Sequence, residues 1–174
     1  MSARYVSVVT CATFDQETPT DQVICDMLAK HPQVAASLLA AHAAAWDAVD
    51  PIVLELCRLR IAQLLDNPAE LAVRTPAATA AGLDEATIAE LTMWPSSPRF
   101  GSRERACLAL CEQSLIDVAN VTSEQTEAVA VELGVQGLAD FVSGLLVVEQ
   151  RQRLRLVWAQ LFGSRTTGGS NDGA

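Results

Sequence analysis

The side chains best suited to chemistry lie between positions 42 and 74. Glu55 stands beside the apolar Leu56 and Leu59, a setting that favours a carboxyl of raised pKa able to act as a base. His42, thirteen residues upstream, is the histidine that can join it. Arg74 cannot surrender its proton in a protein, but its planar fork can clamp a carboxylate bidentately. Together with Glu70 these residues suit acid/base work on a small anionic molecule. The stretch Asn67-Pro68-Ala69-Glu70 also has a wholly structural reading: an N-cap residue, Pro at the first helical position and Glu at the third. Glu70 then complements the helix dipole, and Arg74 at i+4 forms an ion pair with it worth roughly 0.2–0.5 kcal/mol.

The other reactive residue types give weaker patterns. Five cysteines (Cys11, Cys25, Cys57, Cys107 and Cys111) form an odd, widely spaced set. This favours free thiols in a reducing cytoplasm. Cys107 and Cys111 are four apart on one predicted helix, where they read as small core hydrophobes, and Cys57 reads the same way. His31, before Pro32, reads as a turn residue, and Trp46, Trp94 and Trp158 read as core or interface anchors. No His/Cys/carboxylate grouping has metal-ligand spacing, and no Gly-rich phosphate loop is present. Neither a metal nor a cofactor is expected.

The elements that must carry these residues are helices. The 174-residue chain is half hydrophobic, mostly Ala, Leu and Val, with little aromatic bulk, a composition that suits closely packed helices. A net charge of −9 gives no electrostatic footprint for nucleic acid. No signal segment is visible. No uninterrupted apolar run approaches membrane-spanning length, so no membrane partner is expected.

Residues 1–20 read as an arm of strand or coil, residues 21–163 as one all-α domain of about eight helices, and residues 164–174 as a polar, Gly-rich disordered tail. Within the domain, His31-Pro32, Asp50-Pro51 and Asn67-Pro68 each start a helix. The helix from Asn67 runs to Gly82, with Pro76 kinking it. Asp84 caps a short helix to Met93. Ser102 starts one to Val118, and Thr122 with Gln125 has capping-box spacing for one to Leu133. The last runs from about Gln136 to Phe162. It is apolar on several faces (Leu138, Phe141, Val142, Leu145, Leu146, Val148), which points to a homo-oligomer.

Three segments together carry a family resemblance: Glu55-Leu-Cys-Arg-Leu-Arg-Ile-Ala-Gln-Leu-Leu-Asp66; Gly82-Leu-Asp-Glu-Ala-Thr-Ile-Ala-Glu-Leu with Trp94 and then Phe100-Gly-Ser-Arg-Glu-Arg-Ala-Cys-Leu-Ala-Leu-Cys-Glu; and Gln152-Arg153-Leu154, which resembles an Asn-Arg-Leu signature. The ordered set, over roughly residues 31–160, resembles the alkylhydroperoxidase D / carboxymuconolactone decarboxylase family. The resemblance implies an all-α fold and a trimer or a dimer of trimers.

It also implies which positions would carry redox chemistry. Family peroxidases have a Glu, a Cys twelve residues on, a second Cys three further and a His four after that. Glu55 matches the Glu, whereas Asn67, Glu70 and Arg74 fall on the two cysteines and the histidine. A thiolate at a helix start can attack a peroxide and a second thiol can resolve it as a disulfide; Asn67 and Glu70 can do neither. The chain therefore reads as a redox-inactive family member, a small-molecule-binding or scaffolding oligomer. The alternative is a non-redox decarboxylase- or lyase-type enzyme working through Glu55 and Arg74, with Glu70 and His42 beside them. A thiol peroxidase with a relocated cysteine stands third.

Overall fold

The structure, a computed structural model, describes residues 30–162, so the expected arm (1–20) and the tail (164–174) lie outside the described residues. Local punctuation starts the helices. Pro32 opens α1 (Pro32–Ala48). Asp50 caps α2 (Pro51–Leu64), its Oδ1 accepting from the N–H groups of Ile52 and Val53 at 2.9 and 3.2 Å. Asn67 caps α3 (Pro68–Leu71) and Asp84 caps α5 (Glu85–Ala89). A 3-10 turn, Leu91–Met93, follows. In α6 (Ser102–Asp117) the Glu104 carboxylate reaches back to the Gly101 N–H at 2.8 Å. A second 3-10 turn, Val118–Asn120, leads to Thr122 and Gln125, which bond each other's backbone N–H as a capping box at the head of α7 (Ser123–Phe162). Among the described residues there is no strand.

One expectation changes in detail. The helix expected from Asn67 to Gly82 with a kink is two short helices, α3 and α4 (Pro76–Ala80). Pro76 has no N–H to continue a helix and forces Thr75 into the extended region (φ −77°, ψ 135°), so the chain stops and restarts. The two helices expected on either side of Gly134 are both present within Ser123–Phe162, separated by a break where Gly134 takes φ 77°, ψ 167°, a conformation closed to side-chain-bearing residues.

The described residues fall into two compact units, one of residues 42–152 and one to which residues 30–41 and 153–162 belong. Of the latter, the described parts are helical. In the former, α2 is the hub. Val53 to Leu59 are buried on every face of the helix, so this stretch of α2 has no solvent side. Cys107, Leu108, Leu110 and Cys111 of α6 pack on it, joined by Phe100, Leu91, Phe141, Leu145 and Val148. At Gly144 the backbone of α7 comes so close that a Cβ would lie 3.2 Å from Val49 Cγ2. A helix buried on all sides has to bury whatever charges it carries, and α2 carries Glu55 and Arg58.

No uninterrupted apolar run has spanning length, but α7 is long and its middle is apolar apart from Glu132 and Asp140 and a few Gly, Gln and Ser. Its most apolar 18-residue window has a mean hydropathy of 1.6 and is 22 % buried. By length and composition alone, one helix among the described residues is therefore long and apolar enough to cross a membrane.

Candidate functional site

Glu55 and Arg58 lie three residues apart on α2, both essentially inaccessible at 0 % and 1 % exposure. A charge buried in that way is tolerated only if paired and fully hydrogen-bonded. Arg58 achieves this with its whole fork. Its Nε and Nη2 donate to the two carboxylate oxygens of Glu55, each at 2.7 Å. Its Nη1 donates to a carboxylate oxygen and to the backbone carbonyl of Glu70, each at 2.8 Å, and Nη2 donates again to the Val73 carbonyl at 2.8 Å. Five N–H groups thus meet five acceptors. Burial works against the charged guanidinium, but the hydrogen bonds and attraction of Glu55 and Glu70 outweigh it and hold Arg58 above the ordinary arginine pKa.

Glu55 is filled from the other side as well. Thr75 donates its backbone N–H to Oε1 and its hydroxyl to Oε2, each at 3.1 Å. With two bonds from Arg58 and two from Thr75, the four acceptor positions of the carboxylate are taken. The break before Pro76 makes this possible, because an extended Thr75 has a backbone N–H that no helix uses.

Glu70 is also buried. Besides Arg58 it has Arg151 of α7, whose Nη1 lies 3.6 Å from Oε1. Asn67, two percent exposed, accepts from the Glu70 N–H through Oδ1 at 3.4 Å. Gln152 is buried beside the same turn of α2 and donates through Nε2 to the Arg58 carbonyl at 2.8 Å. His42, half-buried on α1, accepts a hydrogen bond from Trp46 Nε1 at 3.1 Å through Nε2, which assigns the ring proton to Nδ1. Burial first, then the positive charges of Arg151 and Arg58, lower its pKa to about 4 against the opposing pull of Glu70.

Of the four expected site residues, Glu55 and Glu70 meet at Arg58, and His42 feels the charges of Arg151, Glu70 and Arg58, whereas Arg74 turns away. Its Nε and Nη2 bond the exposed Glu85 at 2.7 and 3.0 Å, and Nη1 donates to the Leu71 and Val73 carbonyls. The ion pair expected between Glu70 and Arg74 does not form. Because α3 ends at Leu71, Arg74 is not one helical turn beyond Glu70, and Arg58 and Arg151 hold Glu70 instead. The sequence reading singled out neither Arg58, Arg151 nor Thr75. A signal for Arg58 was available: Glu55 and Arg58 at i, i+3 on an otherwise apolar helix must be buried together.

The thiols lie elsewhere. Cys57, Cys107 and Cys111 are free and buried between α2 and α6, with Cys111 Sγ 3.9 Å from the Cys57 carbonyl. Burial, reinforced by the hydrogen bond to Cys111, pushes Cys57 well above the ordinary thiol pKa, and burial with the charge of Glu104 pushes Cys107 up to about 12. Cys11 and Cys25 lie outside the described residues. Among the described residues no three His, Cys, Asp or Glu side chains are grouped so as to hold a metal ion.

Residues 32–113 match the model of the carboxymuconolactone decarboxylase family. No curated protein and no solved structure matches the chain significantly. The matched segment carries His42, Glu55, Arg58, Asn67, Glu70 and Arg74 and ends before Arg151 and Gln152, so α7 contributes to the cluster from beyond it.

Proposed function

Over residues 32–113 the chain belongs to the carboxymuconolactone decarboxylase family, and on that premise we propose that it is a redox-inactive member, a small-molecule-binding or scaffolding homo-oligomer of the cytoplasm. The observation that carries the reading is the closure of Glu55. Its acceptor positions are filled by Arg58 and Thr75, so the carboxylate has no open position from which to take a proton. The thiol route has as little support. Asn67 and Glu70 occupy the positions that the resemblance assigns to the cysteine pair, and the described thiols are buried, Cys57 and Cys107 with a raised pKa that leaves them almost no thiolate at neutral pH. The acid/base reading through Glu55 and Arg74 is weakened by the commitment of Arg74 to Glu85.

Assembly is supported by the apolar side chains that α7 leaves in solvent, among them Val131 (83 % exposed), Val135, Val142 and Leu146. A trimer or hexamer is what the resemblance implies. The test of the reading is consumption of an alkyl hydroperoxide with a dithiol reductant, run beside a variant with all five cysteines replaced. Negligible turnover in both is expected. Turnover in the wild type that disappears in a folded variant would overturn it.

A further inference from the structure

We draw no further inference here: the strongest candidate, the exposed apolar face that Val135, Val142 and Leu146 give α7, carries nothing beyond the assembly already proposed, because nothing in the structure shows what covers it.

Discussion

Arg58 holds both carboxylate oxygens of Glu55, three residues before it on the same helix, at 2.7 Å each, while its remaining N–H groups reach across to Glu70 and Val73. One guanidinium thereby ties the hub helix α2 to the chain that leaves it through α3. Removing it leaves Glu55 buried without its cation and Glu70 without the nearer of its two. Arg58→Met is expected to cost about 3–5 kcal/mol in unfolding free energy, measured by urea denaturation. Arg58→Lys should recover only part of this, because a point ammonium cannot serve two carboxylates and two carbonyls in a fixed fork. The triple variant Glu55→Gln, Arg58→Met, Glu70→Gln should be more stable than Arg58→Met alone, since it removes the unpaired charges as well. If Arg58→Met unfolds at the wild-type midpoint, the network does not hold the helices.

The same cluster sets a pH dependence through His42. Its native pKa, about 4, lies below the ordinary histidine value of 6.5, so between these values the unfolded chain binds a proton that the native chain refuses. Stability is therefore full above about pH 6.5 and falls as pH drops toward 4, where the loss levels off. Allowing for the solvent exposure of the ring, the loss is on the order of 1–3 kcal/mol. Carboxylates such as Glu85 and Glu90, held low by hydrogen bonds from Arg74 and from Ser97 and Arg99, add their own loss only at more acid pH. Urea midpoints at pH 7 and pH 5 check the prediction. His42→Gln should flatten the difference, and an unchanged slope in that variant would place the titration elsewhere.

The helix starts were legible in the sequence because caps are local. Asp50-Pro51, Asn67-Pro68, Asp84 and the Thr122–Gln125 box need only a few neighbouring residues, and each sits where its residue types put it. The partners of Glu70 were not legible, because they come from twelve residues before it and from Arg151 on α7. A short-range rule selected Arg74 instead. It failed because Pro76 ends the helical register on which that rule depends. Glu55 was recognised as buried among apolar residues, but its chemistry was read without Arg58, and the closure by Thr75 depends on an extended backbone that only the folded chain reveals.

Assembly should be separable from folding. Val142 and Leu146, 47 % and 58 % exposed, lie one turn apart on α7, while Phe141, Leu145 and Val148 of the same stretch are buried. Replacing Val142 and Leu146 by Asp is expected to lower the mass measured by light scattering at micromolar concentration and to leave the helical circular dichroism intact. A wild-type chain that is already monomeric under those conditions would remove the oligomer from the reading.

The last prediction asks whether the scaffold can regain the missing chemistry. Glu70→Cys would put a thiol where Arg58 Nη1 and Arg151 Nη1 now face a carboxylate, at 2.8 and 3.6 Å. Two guanidinium groups beside a thiol, close to the start of α3, favour the thiolate, the reverse of what burial does at Cys57 and Cys107. The introduced thiol should therefore react with iodoacetamide near pH 7 faster than any thiol of the wild type, even though Arg58 and Glu55 lose a partner and the variant is less stable. Adding Asn67→Cys supplies a resolving thiol three residues away, at the cost of the cap on the Glu70 N–H, about 1 kcal/mol. This double variant is expected to consume alkyl hydroperoxide weakly with a dithiol reductant, forming a disulfide between the two introduced thiols that mass spectrometry can locate. Activity should stay low because Glu55 remains locked by Arg58 and Thr75 and because Arg74 stands where the resemblance expects a histidine. A folded double variant whose new thiols alkylate no faster than Cys57, Cys107 and Cys111 would show that Arg58 and Arg151 do not create a site for an anion at position 70.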